Sequence, residues 1–350
     1  MYPGVAGKLR YVGWEGADAI ASDYMKEFRT KNNIDYTYTY VGSPDETIAK
    51  VSTDPGTVDL ADAHVEMFQV AYEAGLLDPI DLTRLSNYET VYPGFKTDRW
   101  VFPDGKHYCV PTMWGDSPVV YDPAKWPDGP PPKIYPDLAD PKYRGALVTS
   151  DDPYMNLFNV SQSLGNPDPI YITQAQLDEC VKAFKEIKKN IVAITPGALS
   201  DIVDLLVRGD ATMCVFSGWE AMVPAAAEKG KELKFATPAV DKGYWWIDNF
   251  AIPKAAVNKD AAYAFINELI SARGNAALAD GSASGGTQSK SWDYFDPKIR
   301  GWYPYDQVKV ANPPKDHPIN LSMDPPPKTT DKGIVGIAEW KRAWQECKMA

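Results

Sequence analysis

One short run holds the residues of this chain that are best suited to bind a charged ligand. It reads GYWWIDNFAIP from Gly243 to Pro253 and places Asp248 beside two tryptophans in an apolar, strand-like segment. A carboxylate is costly to bury unless a cation meets it. Aromatic faces beside a carboxylate attract an ammonium through cation–π attraction and charge. We expect an amine site if the run lines a cleft; the alternative is a core strand whose aspartate caps a neighbouring helix.

Composition limits the classes of partner. The chain has 350 residues, enough for two ordinary domains, and its 44% hydrophobic and 24% charged residues are typical of a globular protein. Its formal charge of −11 argues against nucleic acid and anionic membranes as partners and is compatible with small cationic ligands. No apolar run approaches the ~20 residues that a membrane span needs.

The cysteines and histidines offer little for catalysis or metal binding. The four cysteines show no C-x-x-C spacing and no pairing with the three histidines, so we expect no metal site. One or two disulfides are compatible with an oxidising compartment, and their pairing is open. Nucleophile-elbow, P-loop and zinc signatures are absent from the sequence. We therefore expect a binding protein without a cofactor, not an enzyme. The cysteines are Cys109, Cys180, Cys214 and Cys347.

Strand and helix patterns alternate in the first part of the chain. KLRYVGW, IDYTYTYV and VDLADA read as strands, and AIASDYMKEFRTKN, DETIAKVST and HVEMFQVAYEAG read as helices. This alternation predicts an α/β protein with parallel-type sheets flanked by helices. Later, one helix is predicted over KDAAYAFINELISARG, and little regular structure from Asp280 to Lys332. The closing helix GIAEWKRAWQECKM places Trp340 and Trp344 on one face, as expected for core residues.

Several separated segments resemble one family, the extracellular solute-binding proteins of polyamine-type ABC importers. They occur in the family's order: LRYVGW, VDLADAH, CVPTMWG, YRGALVTSDDP, MCVFSGW and, as the best match, WWIDNFAIPKAAVNKDAAYAFINELI. The resemblance implies a two-lobed periplasmic-binding-protein fold of type II with the ligand cleft between the lobes. It also implies capture of a putrescine- or spermidine-class amine by hinge closure, and delivery to a membrane permease.

The resemblance further implies discontinuous lobes, because the chain of such proteins crosses the hinge more than once. The N-terminal lobe is predicted to hold residues 1–113 and 250–290, the C-terminal lobe residues 114–249 and 291–350, with crossings near 110–116 and 246–252. We expect a periplasmic or lipid-anchored extracellular monomer. The chain opens with Met1-Tyr2-Pro3-Gly4 and no signal peptide, as expected for a mature or trimmed sequence.

Binding roles carry over from the family to individual residues. Asp248 falls on the family's amine-binding aspartate, and Trp246 falls on the ring that packs beside it. Trp14 and Trp219 fall on aromatic walls of the pocket, and Asp152 falls on an acidic cleft position. The D-D-P sequence around Asp152 equally predicts a turn or a helix cap.

Other positions depart from the family. Glu15 lies one place from an expected second acid, and Glu66 stands where some members have an aromatic residue. His64 replaces a serine; it either bonds the ligand, adds charge at mildly acidic pH, or only begins a helix. Asp62 stands at an apolar family position, and we expect it to face the hinge. Met155 stands at the position where spermidine-binding members have an acid that binds the far amine.

The missing acid leaves the ligand open. A diamine requires a replacement acid, for which Glu15, Asp116 and Asp152 are candidates. The alternative is a single-cation ligand: γ-aminobutyrate, which calls for an arginine in the cleft, or a quaternary amine in a tryptophan box. A carbohydrate-active enzyme is disfavoured because no acid pair has a recognisable spacing. An iron- or anion-binding relative of the same fold would need clustered tyrosines or helix-start anion sites.

Overall fold

The computed structural model describes most of the chain. The described residues are 6–20, 22–97, 100–238, 241, 245–310, 326–327 and 329–350, without the side chains of Pro44, Val65 and Glu66. The predictions for Gly243, Tyr244, residues 311–325 and the side chain of Glu66 therefore fall outside the described residues.

The chain divides into two compact units, and the strand pairing explains where. Unit 1 is Met1–Gly115 with Trp245–Ser322, and unit 2 is Asp116–Tyr244 with Met323–Ala350. Residues 114–115, 245–249 and 291–310 thus belong to unit 1 and not to the predicted second lobe. Residues 245–249 belong to unit 1 because the strand Trp245–Ala251 pairs with the strand Leu60–His64 inside this unit.

A mixed six-stranded sheet forms the centre of unit 1. Its strands are β1 (Gly7–Gly13), β2 (Ile34–Tyr40), β3 (Leu60–His64), β4 (Val110–Asp116), β10 (Trp245–Ala251) and β11 (Gly285–Gly286). Their order is β11-β4-β10-β3-β1-β2. As predicted, β1 runs parallel to β2 and β3; in contrast, β10 is antiparallel to β3, and β11 is antiparallel to β4.

The helices of unit 1 begin at polar caps. Ser22 accepts a hydrogen bond from the Met25 amide (3.2 Å), and Ser43 accepts one from the Glu46 amide (3.3 Å), which satisfies otherwise unpaired donors of the first turn. The helices are α1 (Asp23–Asn32), α2 (Pro44–Thr53), α3 (Val65–Glu73), α8 (Lys259–Leu269), α9 (Ala272–Ser282), α10 (Pro297–Arg300) and α11 (Tyr305–Val308).

One prediction for the C-terminal part of unit 1 was wrong. The helix predicted from Lys259 to Gly274 is broken after Leu269, and Ser271 caps α9 by accepting from the Gly274 amide (3.0 Å). The predicted irregular tail contributes β11, whose Gly286 carbonyl accepts from Trp114 Nε1 (3.1 Å). A Cβ on Gly285 would lie 2.5 Å from the same Trp114 nitrogen, so the close strand approach requires glycine.

Unit 2 contains a five-stranded sheet in the order β7-β6-β8-β5-β9. The strands are β5 (Val119–Tyr121), β6 (Leu147–Ser150), β7 (Ile191–Thr195), β8 (Met213–Cys214) and β9 (Lys234–Ala236). β6 is parallel to β7 and β8, whereas β5 is antiparallel to β8 and β9. The helices are α4 (Pro153–Ser163), α5 (Gln174–Lys188), α6 (Leu199–Arg208), α7 (Met222–Glu228) and α12 (Ile337–Lys348).

The closing helix α12 packs into the core of unit 2, as its spacing predicted. Trp340 and Trp344 are both fully buried, and the Trp344 ring meets Phe184 edge-on at 5.0 Å. Trp344 Nε1 and Lys348 Nζ both donate to the Asp151 carboxylate, which fastens the helix to the end of β6. Within the described ranges, no helix is long and apolar enough to cross a membrane.

Candidate functional site

The predicted binding aspartate lies where three segments of unit 1 meet. β1 and β3 are parallel neighbours and finish at the same end of the sheet, with Trp14 just after β1 and His64 as the last residue of β3. The antiparallel pairing of β10 with β3 sets Asp248 directly opposite His64. The carboxyl ends of parallel strands are the usual place for ligands in α/β sheets.

Asp248 is buried without a full set of partners. Its side chain is 5% exposed, and His64 Nε2 lies 3.2 Å from Asp248 Oδ1. The two atoms are not aligned for a hydrogen bond, so Oδ1 has no hydrogen-bond partner among the residues described. The Asp248 backbone carbonyl accepts from Thr112 Oγ1 (3.2 Å), which joins β10 to β4. A donor is therefore missing at a carboxylate oxygen, as expected of a site that receives a cationic ligand.

A second buried acid, Asp62, lies beside Asp248. Side chains alternate along a strand, so Asp62 shares the face of His64, and its register partner Phe250 shares the face of Asp248. Asp62 therefore lies on the same sheet face as Asp248, and the expectation that it faces the hinge stays a prediction. Burial and then the charge of Asp248 raise the pKa of the Asp62 carboxyl well above its ordinary value; the Tyr11 hydroxyl and His64 counteract this only in part.

Tyr11 and Gly13 explain how β1 accommodates that acid. The Tyr11 hydroxyl lies within hydrogen-bond distance of both Asp62 Oδ2 (3.1 Å) and the Trp14 carbonyl (3.0 Å). A Cβ on Gly13 would lie 2.5 Å from the Asp62 Cβ and would also overlap the Tyr11 hydroxyl. Neither residue was predicted from the sequence as part of the site. Tyr11 and Gly13 are two positions apart in a predicted strand, which already placed them on one face of it.

Two tryptophans belong to the same part of unit 1 as Asp248. Trp246 stands two residues before Asp248 and so on the same face of β10, and it is 8% exposed. The Trp14 ring lies 6.0 Å from the His64 imidazole, centre to centre. Trp245 points to the other face and stacks on Trp114 at 5.6 Å, which makes it a packing residue. Unit 1 thus brings together Trp14, His64, Trp246 and Asp248.

Two other candidates of unit 1 stand apart from this group. Glu15 is exposed in the turn after β1. Burial raises the pKa of Tyr40, and the charges of Asp18 and Glu15 raise it further. Glu66 belongs to the first turn of α3, and its side chain is outside the described residues. His64 is the N-cap residue of α3 but makes no side-chain cap bond, so its imidazole is directed to other contacts.

The remaining candidates lie in unit 2 and have structural contacts there. Asp152 caps α4 by accepting from the amides of Tyr154 and Met155, both at 2.8 Å, which confirms the helix-cap reading. Asp116 accepts from Thr237 Oγ1 (2.6 Å). Trp219 is half-buried against the apolar core of this unit.

The described residues contain no group of three or more histidine, cysteine or acidic side chains that could hold a metal ion. All four cysteines are buried free thiols. Burial raises the pKa of Cys180, Cys214 and Cys347 to about 12, which leaves these three thiols protonated and unreactive at neutral pH.

Comparison with solved structures supports the predicted fold. A putative spermidine/putrescine ABC transporter protein from Listeria monocytogenes superposes with a TM-score of 0.79 at 21% identity, and the match covers 98% of this chain and 99% of that one. The α/β periplasmic-binding-protein fold that the sequence predicted is confirmed.

Sequence relatives agree with the fold. The spermidine/putrescine-binding periplasmic protein of Escherichia coli is 23% identical over 270 residues, which cover 75% of this chain and 72% of the relative. The putrescine/cadaverine-binding protein of Pseudomonas aeruginosa is 23% identical over 321 residues, which cover 84% and 83%. The profile of the bacterial extracellular solute-binding proteins matches residues 23–296, well over half of the sequence, and the chain belongs to that family.

Proposed function

We propose that this chain is the solute-binding component of an ABC importer and captures a small cationic amine of the putrescine/spermidine class at Asp248. The observation that carries the proposal is the buried Asp248 carboxylate, which has an oxygen without a hydrogen-bond partner and Trp246 on the same strand face. No lysine or arginine forms an ion pair with it in the described ranges. The relatives above are named for binding putrescine, spermidine or cadaverine.

The chemistry of the site suits a primary ammonium. Its three N–H donors can supply the bond that Asp248 Oδ1 lacks, and its positive charge offsets the burial of the carboxylate. Trp246 and Trp14 offer ring faces to the charge and to the methylene chain of the ligand. Capture needs no bond to be made or broken, so the protein acts as a receptor and not as an enzyme.

The partners follow from the family. A solute-binding protein delivers its ligand to a membrane permease, and we propose that this chain does so outside the cytoplasmic membrane, as a monomer. Putrescine is the first ligand to test, because the relatives are named for binding it. Since Met155 stands where spermidine-binding members have an acid, the second ammonium of putrescine requires another acid. A single-cation ligand such as γ-aminobutyrate or a quaternary amine is the alternative.

Substitution of Asp248 tests the proposal. Asp248→Asn keeps the shape of the side chain but removes the charge, so putrescine affinity should fall by about 2–5 kcal/mol, as when one partner of a buried charge pair is lost. Isothermal titration calorimetry measures this directly. Asp23→Asn is the matched control, because it removes the same charge from a fully exposed position on α1 and should leave the affinity unchanged.

The ligand class is tested on the unaltered protein. Putrescine, spermidine, γ-aminobutyrate and a quaternary amine are compared by thermal shift, since a ligand that binds only the native state raises the melting temperature. A rise with putrescine that Asp248→Asn abolishes supports the proposal. Unchanged putrescine affinity in a folded Asp248→Asn variant would disprove it, and a rise with γ-aminobutyrate alone would move the assignment to that ligand.

A further inference from the structure

Two buried carboxylates lie side by side in unit 1 with too few cations to neutralise them. Asp62 and Asp248 are 1% and 3% exposed. Asp248 is opposite His64 in the β3–β10 ladder, and Asp62 is two residues earlier on β3, so the two acids are diagonal neighbours on one sheet face. Each keeps one oxygen, Oδ1, with no hydrogen-bond partner among the residues described.

Among the described groups that face the pair, His64 is the one that can carry a positive charge, and one imidazolium would balance only one of the two carboxylates. β1 contributes the Tyr11 hydroxyl, which can donate to Asp62 Oδ2 (3.1 Å), and β3 contributes His64. Asp18 and Tyr36, which act on the same Tyr11 hydroxyl, add an acid and a second phenol. In the described part of the chain, no lysine or arginine pairs with either Asp62 or Asp248. Two full negative charges on neighbouring buried carboxylates of one sheet face are strongly disfavoured.

We propose that Asp62 and Asp248 together hold one exchangeable proton when no ligand is bound, and that the ammonium of the ligand displaces this proton. The inference rests on the proposed function, because it takes Asp248 as the ammonium partner. It assigns to Asp62 the role of a specificity-determining residue: the ligand must bring a cation that can take the place of a proton between two carboxylates.

The exchange balances in charge and in protons. Before binding, the pair carries one proton and one negative charge. Binding brings one positive ammonium and sends the proton to solvent, so the pair is doubly ionised and the net charge of the site with its ligand is again −1. The buried site therefore never carries two uncompensated charges, and the shared proton explains why both acids are tolerated without ligand.

The exchange gives the binding affinity a definite pH dependence. Because a proton leaves on binding, the affinity rises with pH below the pKa of the pair, by up to about tenfold per pH unit, and levels off above it. The pKa of Asp62 is raised well above its ordinary value by burial and by Asp248, which brings this range toward neutral pH. A polyamine stays fully charged there, since its amines have a pKa of about 10.

The test is calorimetry of putrescine binding in buffers with different ionisation enthalpies, at a fixed pH near neutral. The slope of the observed enthalpy against buffer ionisation enthalpy gives the number of protons released. The full chain should release close to one proton per ligand, and Asp62→Asn should release none while it still binds putrescine through Asp248, with an affinity that no longer varies with pH.

Two variants identify the source of the proton. His64→Gln should keep the release, because the proton belongs to the carboxylate pair. Asp18→Asn is the matched control: this acid is also buried, but it accepts from Tyr36 (2.6 Å) and Tyr40 (3.5 Å), so its removal should also keep the release. Loss of the release in His64→Gln with retention in Asp62→Asn would assign the proton to the imidazole and overturn the inference.

The outcomes separate this inference from the proposed function. Tight putrescine binding with no proton release in the unaltered protein contradicts the shared proton but leaves the amine-binding proposal intact. Absence of binding refutes the proposed function and the inference with it. If Asp62→Asn does not fold, infrared difference spectroscopy of the unaltered protein tests whether the carboxylate pair loses a proton on binding. The carbonyl band of a protonated carboxylic acid must disappear when putrescine binds, and a spectrum without that loss overturns the inference.

Discussion

At the level of single residues, two glycines set how closely the groups of the site can pack. Gly13 leaves room for Tyr11 beside Asp62, as described above. Gly115, at the end of unit 1, lies against the Trp246 ring: a Cβ there would be 2.5 Å from Cζ2 and 2.9 Å from Cε2. The position of the Trp246 ring therefore depends on the absence of a side chain at Gly115.

We expect Gly115→Ala to move the Trp246 ring. The added methyl group overlaps the ring, and such overpacking costs about 1–3 kcal/mol of stability. Putrescine affinity should fall with it, because the proposed function places this ring against the bound ammonium. Chemical denaturation and calorimetry measure the two effects. Gly281→Ala is the control, since a Cβ there meets nothing within 4 Å; this helix substitution should stabilise by about 0.5–1 kcal/mol. Unchanged affinity in Gly115→Ala would remove Trp246 from the binding site.

Among the secondary structure elements of unit 1, a single carboxylate ties two strands to a helix. Asp59, just before β3, accepts from the Arg10 guanidinium of β1 at 2.8 and 2.9 Å. It also accepts from the amides of Val257 and Asn258, both at 3.1 Å, at the start of α8. Burial alone would raise the pKa of Asp59, but the bonds from Arg10 and Asn258 outweigh burial and hold the pKa below its usual value.

Asp59→Asn should therefore destabilise unit 1, by about 2–3 kcal/mol at neutral pH for the loss of charged hydrogen bonds. A carboxyl with a lowered folded-state pKa stabilises the fold above its unfolded pKa of about 3.9, and this stability is lost as the pH falls through the folded pKa. The difference between variant and parent should thus shrink below about pH 5, as urea denaturation at several pH values would show. Asp260→Asn, which breaks a surface pair with Arg84, should cost under about 1 kcal/mol. An equal loss of stability in Asp59→Asn and Asp260→Asn would contradict the role of Asp59 in joining these elements.

For the whole molecule, the relevant quantity is the net charge of −11. An acidic protein attracts cationic ligands over distances that salt shortens, from about 30 Å at 0.01 M to about 8 Å at 0.15 M ionic strength. We expect the association rate of putrescine to fall over this range while the dissociation rate changes little. Stopped-flow tryptophan fluorescence follows both rates. An association rate independent of salt would show that the overall charge does not guide the ligand.

Much of the local structure could be predicted from the sequence. The four runs predicted as strands form β1, β2, β3 and β10, and the aspartate of the D-D-P sequence caps α4. Local patterns fail where the outcome depends on distant partners. The break between α8 and α9 carries no proline, and β11 is only two residues long, so neither leaves a periodic signal. β11 exists because Trp114 and Met113 offer it a pairing edge.

The sequence by itself indicated the family, through several separated segments. It also predicted Asp248 and Trp246 as binding residues, because adjacent tryptophans and a lone carboxylate form a pattern within one strand. Only the tertiary structure decided that Asp62 stands next to Asp248. That proximity comes from the register of β3 on β10, two strands far apart in the chain, and a shift of one residue would turn Asp62 to the opposite face. Residue order encodes which side chains alternate along a strand, whereas long-range pairing sets which acids meet.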